Sequence, residues 1–193
     1  MLPALDMSNV PLRFFEHSHG ARWMSVRERA VVIALLRRVK AETVIEIGVQ
    51  EGHCACDMLR HLPIKRYIGI DLSPGSPHLP PILSQRDERP QDRVAFYVKD
   101  HPAFDLIIRQ RGSLDLEADD LPMADAFIID GDHSLEAVRH DTELATARTR
   151  RGGAILWHDY AWWDGNGVPE VLHNLPGRAI ARIENTNLTV EFR

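Results

Sequence analysis

Two short stretches of this chain gather side chains that move protons or hold metal ions. One is Asp130-Gly131-Asp132-His133, directly after the apolar run Ala126-Phe127-Ile128-Ile129; the other is His158-Asp159, directly after Ala154-Ile155-Leu156-Trp157. An imidazole has an ordinary pKa of ~6.5, so His133 and His158 are candidates for a general base or acid at neutral pH. The neighbouring carboxylates Asp130, Asp132 and Asp159 can orient an imidazole or ligate a cation. Such groups are costly inside a core unless paired. Short continuous apolar runs, in contrast, mark strands buried on both faces. The polar groups therefore belong at strand ends.

Two further marks share that pattern. Glu46-Ile47-Gly48-Val49-Gln50-Glu51-Gly52 places Gly48 and Gly52 around a strand-to-helix turn, where glycine permits positive φ and close approach of a ligand. It lacks the G-x-G-x-x-G of a dinucleotide fold and the Gly-Lys-Ser/Thr of a P-loop. Glu46 and Glu51 would repel a pyrophosphate and suit a positive group such as an ammonium. Asp71 ends Tyr67-Ile68-Gly69-Ile70, a second buried run, and an acid at that place suits the paired hydroxyls of a ribose.

The elements that must position these residues follow from periodicity. Ser25 with Glu28 forms a capping box for a helix beginning at residue 26, with Val31, Leu35 and Val39 at helical spacing. Strands are expected at 43–48, 66–72, 125–130 and 152–159, the last entered through a Gly152-Gly153 break. A further strand lies within 103–114, with its register open. Helices are expected at 51–62, at 134–150 with Ser134 as N-cap, and at 168–175 with Pro169 in the first turn. The prolines of 73–93 predict an irregular connection, a candidate lid or a plain surface loop. The tail folds back around Asn185-Thr186-Asn187 as a hairpin. Alternating strands and helices predict an α/β, doubly wound parallel sheet that binds ligands beyond the strands' carboxyl ends.

Composition narrows the function. The chain has 193 residues, net charge −5 and a sequence pI near 6, which gives no electrostatic case for nucleic acid. There is no basic leader and no run near the ~20 apolar residues of a membrane span, so a cytoplasmic protein is expected. Cys54 and Cys56 read as packing residues. His17 and His19 read as a solvated loop, Trp157 as core, and Trp162 and Trp163 as candidate walls of an acceptor pocket.

The segments VIEIGVQEG, YIGIDLS, DAFIIDGDHSLEAVRHD and RRGGAILWHDY, in this order, resemble class I S-adenosylmethionine-dependent methyltransferases. Within that superfamily the chain is similar to the bacterial branch with an Asp-Gly-Asp-His signature, related to catechol-type O-methyltransferases. The resemblance implies a Rossmann-like, mostly parallel seven-stranded sheet with a C-terminal antiparallel hairpin. It implies an N-terminal extension over 1–24 and a methyltransferase domain over 25–193. Glu46, Gly48 and Gly52 would surround the methionine part of S-adenosylmethionine, Asp71 the ribose and Ser113 the adenine, with Asp130 at the cofactor as well. Arg111-Gly112-Ser113 lacks the acid that the family usually has near that point.

The same resemblance places a divalent metal on Asp130, His158 and Asp159, with His133 as base and Asp132 orienting it or touching the ligand. His158 stands where metal-dependent relatives carry an acid, so the site would favour manganese, iron, nickel or zinc over magnesium. The rival reading drops the metal and leaves His133 and His158 as acid–base groups. Either way, methyl transfer to an oxygen of a small molecule is implied. A non-catalytic S-adenosylmethionine-binding or assembly protein is the alternative, and a dinucleotide enzyme is a third that the acidic first loop opposes. With little chain before the first helix, the acceptor site is open or completed by a neighbouring subunit of a homo-oligomer.

Overall fold

The computed structural model describes residues 2–10, 24–78, 93–161 and 165–193. Most of the 73–93 connection, together with His17, His19, Trp162 and Trp163, lies outside them. The elements run β1 (Ala4–Leu5), α1 (Val26–Arg38), β2 (Thr43–Ile47), α2 (His53–His61), β3 (Arg66–Leu72) and β4 (Phe104–Arg109). They continue with β5 (Ala124–Ile129), α3 (Leu135–Arg148), β6 (Thr149–Trp157), α4 (Val168–His173), β7 (Ile180–Ile183) and β8 (Thr189–Phe192).

One sheet has the order β1-β7-β8-β6-β5-β2-β3-β4. All neighbouring pairs are parallel except β8, which runs antiparallel to both β6 and β7. Side chains alternate between two cores. Val44, Ala126, Ile128, Ala154 and Leu156 pack against α1 and α2, while Ile45, Ile47, Phe127, Ile129, Ile155 and Trp157 pack against α3 and α4. Burial on both faces explains why these strands read as continuous apolar runs. Trp157 belongs to the core, where its indole N–H donates to Thr142 Oγ1 at 2.9 Å.

Two expectations need correction. The sheet has eight strands, because Ala4–Leu5, in the segment expected to lie outside the domain, pairs with Arg182 and Ile183 of β7. In addition, Gly152-Gly153 does not begin a strand after a loop. Helix α3 passes straight into β6 at Thr149, and the glycines lie inside the strand beside a register shift between Ala124 and Ala126. Gly153 allows that irregular pairing, since a Cβ there would stand 2.4 Å from the Asp125 carbonyl oxygen.

Candidate active site

The register of the four central strands decides which residues meet. Ile70 pairs with Ile47, Ile47 with Ile129, and Ile129 with Trp157. The next residues, Asp71, Gly48, Asp130 and His158, therefore stand in one row across β3, β2, β5 and β6. Main-chain hydrogen bonds carry the ladder one step past the strand ends. Gly48 N–H donates to Ile70 O (2.8 Å), Asp130 N–H to Ile47 O (2.9 Å) and His158 N–H to Ile129 O (3.0 Å). The chain order reverses between β2 and β5, so this row lies at the topological switch point where α/β sheets bind ligands.

Gly48 is required there. Its φ is +90°, and a Cβ would stand 2.1 Å from the Asp130 carbonyl oxygen. The loop that follows is tied to Asp71: Gln50 N–H donates to Oδ2 (2.6 Å) and Leu72 N–H to Oδ1 (2.7 Å). A cavity of about 230 Å³ opens over this end of the row. Gly48, Asp71, Ser113, Asp130 and Asp132 all line it, so most of the residues expected to bind a cofactor share one space. Gly52 does not line it; it is the left-handed N-cap of α2.

Glu46 also lies away from that cavity, lining a smaller recess with Arg29, Gly48, His53 and Asp130. Its side chain points to the α1 and α2 face, where the Tyr67 hydroxyl donates to Oε2 at 2.9 Å. Burial pushes its carboxyl up to about 8, against the opposing Tyr67 hydrogen bond. In the folded chain Glu46 is mostly neutral at pH 7. Arg29, fully buried, pairs with Asp57 of α2 at 2.8 Å.

On the other side of Asp130 the row becomes a network of side chains. His158 is only 3% exposed. Its Nδ1 donates to Asp130 Oδ1 (3.0 Å) and stands 3.3 Å from Asp159 Oδ2, while Nε2 faces Glu28 Oε1 at 3.5 Å. Burial alone would lower this imidazole's pKa; the charge of Asp130, its hydrogen bond and the nearby carboxylates of Asp159 and Glu28 outweigh it and hold the pKa far above the ordinary value. His158 is thus a buried imidazole among three carboxylates, which favour its protonated form.

His133 approaches from α3's side, with Nε2 3.0 Å from Asp159 Oδ2. Burial pulls its pKa down, but Asp159 and then Asp130 raise it further than burial lowers it. Asp159 is correspondingly held well below the usual carboxylate range: burial would raise it, and the bonds from His133 and His158 prevail. Asp132 does not reach the imidazole. Its two oxygens accept from the Ser134 N–H (3.1 Å) and hydroxyl (2.9 Å) at the start of α3, so the orienting contact expected of Asp132 belongs to Asp159.

The expected metal residues Asp130, His158 and Asp159 do come together, with His158 Nδ1 3.0 Å from Asp130 Oδ1 and 3.3 Å from Asp159 Oδ2. Ligand atoms of Asp130, His133 and Asp159 lie within 4.8 Å of one another, a group that exchanges one histidine for the other. His158 could ligate a cation only as the neutral imidazole.

Sequence reasoning missed Glu28 as part of this site. It closes the α1 capping box with Ser25, and its Oε1 also accepts from Asn187 N–H at 2.9 Å. Its partners bring its pKa down to about 2 although burial opposes that. Nothing in the motif Ser25-x-x-Glu28 distinguishes an exposed cap from one that faces a buried histidine.

A doubly wound sheet with a cavity at the switch point and a network of histidines and carboxylates beside it defines a Rossmann-like α/β architecture. The family described as a methyltransferase domain matches residues 45–160, and this chain belongs to it. The fold is similar to that of a Podospora anserina methyltransferase solved with S-adenosylhomocysteine (12% identity, 87% of this chain and 78% of that one, TM-score 0.63). It is similar to the O-methyltransferase of tomaymycin synthesis from Streptomyces achromogenes, solved with S-adenosylmethionine (16%, 93% and 84%, TM-score 0.60). A precorrin-6y C5,15-methyltransferase from Geobacter metallireducens also shares it (15%, 92% and 95%, TM-score 0.61). No curated protein matches the sequence. Among the described residues no helix is long and apolar enough to cross a membrane.

Proposed function

We propose that this methyltransferase-family protein transfers a methyl group from S-adenosylmethionine to an oxygen of a small molecule, with His133 as general base. One observation carries the reading. Asp130 borders the cavity that contains Asp71 and also contacts the network that holds His133, so the cofactor site and the base have a common wall.

The residues fit the cofactor. Asp71, with both oxygens fixed by main-chain N–H groups, presents lone pairs to ribose hydroxyls. The Gly48 turn leaves room where a Cβ would collide, and Ser113, the residue assigned to the adenine, lines the same cavity. S-adenosylmethionine supplies a methyl already activated on a sulfonium, so the chain's task is to align the acceptor and take its proton. His133 then takes that proton, and the Asp159 carboxylate, with Oδ2 3.0 Å from His133 Nε2, stabilises the resulting imidazolium through its charge. His158 keeps Asp130 and Asp159 in place from behind.

A second reading places a divalent ion on Asp130, His133 and Asp159, favoured by the convergence of their ligand atoms. The mixed imidazole and carboxylate set suits manganese, iron, nickel or zinc better than magnesium. His133 Nε2 would then be a ligand, and the metal would have to activate the acceptor.

Calorimetric titration with S-adenosylhomocysteine, together with methyl transfer to a panel of catechols and other small hydroxylated acceptors, tests the main reading. Binding of NAD in place of S-adenosylhomocysteine would sink it. Binding with no transfer to any acceptor would favour a non-catalytic role. Activity lost on chelation, and restored by manganese better than by magnesium, would select the metal reading.

A further inference from the structure

The His133–Asp159 pair rests on a backbone conformation that needs support. Asp159 has φ +55°, in the left-handed region that non-glycine residues seldom occupy. Asn166 supplies three hydrogen bonds around it. Its Nδ2 donates to the carbonyls of Asp159 (2.8 Å) and Ala161 (2.5 Å), and its Oδ1 accepts from Val168 N–H (3.0 Å). The next residue holds the other partner, since Gly167 N–H donates to the carbonyl of His133 at 2.6 Å. Gly167 has no room for a side chain, because a Cβ would stand 2.6 Å from Leu135 Cα and 3.1 Å from the His133 carbonyl oxygen. Two adjacent residues of one loop therefore grip the main chain of both members of the pair.

We propose that Asn166, with Gly167, is a positioning residue for the His133–Asp159 pair: it fixes the backbone of Asp159 so that its carboxylate meets His133 Nε2. The functional half of this inference rests on His133 acting as the base; the geometric half does not. Asparagine is suited to the place because one short side chain offers two donors and an acceptor. Aspartate has the same shape but would turn an oxygen toward two carbonyl oxygens, while still accepting from Val168. No ligand is needed for this arrangement, so it can be read in the free protein.

The test uses the full chain, 15N-labelled, and the Asn166→Asp variant. The side-chain nitrogen resonances of His133, identified by their loss in His133→Ala, should differ between the native chain, where Nε2 lies 3.0 Å from Asp159 Oδ2, and Asn166→Asp. Affinity for S-adenosylhomocysteine should not change. With an acceptor from the catechol panel, kcat should fall by up to ~10²-fold at unchanged KM for S-adenosylmethionine, the scale for a misplaced group. In a His133→Ala background, Asn166→Asp should cost nothing more. An unmoved His133 resonance in a folded Asn166→Asp protein would overturn the proposal, as would an equal loss of kcat in both backgrounds. If Asn166→Asp does not fold, Gly167→Ala should displace the His133 resonance from the other side. Collapse of both variants would overturn the proposal by making the loop a folding element. Full activity in His133→Ala with a displaced resonance in Asn166→Asp would reject the base assignment while leaving the geometric inference intact.

Discussion

Asp71 and Asp130 stand two places apart in the same row of strand ends, yet they are held in different ways. Both oxygens of Asp71 accept from nearby main-chain N–H groups, those of Gln50 and Leu72. Asp130 is held by the side chain of His158, which in turn faces Glu28 and Asp159. The first arrangement follows the path of the chain through Gln50 and Leu72. The second depends on the charge of five side chains from α1, from the ends of β5 and β6, and from the turn before α3. The proposed cofactor region should therefore depend less on side-chain charge than the proposed base region.

The largest expected effect separates the two regions. His133→Ala should lower turnover by ~10²–10⁴-fold, the usual contribution of a general base, with affinity for S-adenosylhomocysteine nearly unchanged. Asp71→Ala should weaken that affinity by ~1–3 kcal/mol, the scale for charged hydrogen bonds. Steady-state kinetics and calorimetry on both variants measure this. If His133→Ala weakens binding as much as Asp71→Ala does, the two regions are one.

The same difference governs what could be read from sequence. Strands β2, β3 and β5 were legible because each is a short apolar run, and the row of Asp71, Gly48 and Asp130 follows once those strands are adjacent. Ser25 and Ser134 were legible as caps because capping is local: each serine Oγ accepts from the main-chain N–H three residues on. Strand β4 had no fixed register because it is an edge strand with Asp105 and Leu106 exposed, so no periodic signal marks it. The two residues of β1 hold no signal at all. In the base region the residue types were legible and the pairing was not. Whether Asp132 or Asp159 meets His133, and whether His158 faces a cation or three carboxylates, depends on contacts between residues up to 130 positions apart (Glu28 and His158).

Glu46 sharpens the comparison because it lies beneath the row, bordering the recess rather than the cavity. Its carboxyl is pushed up to about 8 in the folded chain, against 4.5 unfolded, with burial as the chief cause. Between those pH values the folded state holds a proton that the unfolded chain has released, so stability falls as pH rises through the window. Glutamine accepts the Tyr67 hydrogen bond and does not titrate. Glu46→Gln should therefore exceed the native chain in stability by up to ~4–5 kcal/mol near pH 8–9, at ~1.4 kcal/mol for each pH unit between 4.5 and about 8, with the gap closing below pH 5. Urea unfolding at three pH values measures it. A gap that does not vary with pH would mean that Glu46 is ionised and paired, as first expected for an acid that receives an ammonium.

The smallest expected effect is a shift rather than a loss. With His133 as the proposed base, only its neutral form is active, so kcat should rise with pH and level off above its pKa. Burial lowers that pKa, whereas the hydrogen bond and charge of Asp159, then the charge of Asp130, raise it beyond the ordinary value. The midpoint of the native profile should therefore lie above 6.5. Asp159→Asn removes the principal raising influence and leaves burial, so the midpoint should move to lower pH even as the plateau falls. His158 retains Asp130 and Glu28 in that variant, which limits wider rearrangement. Asp71→Asn, a change in the cofactor region, should weaken binding and leave the midpoint where it was. If both variants leave the midpoint unmoved, His133 is not the titrating group; if Asp71→Asn moves it as far as Asp159→Asn does, the two ends of the row share their charge and the contrast between them fails.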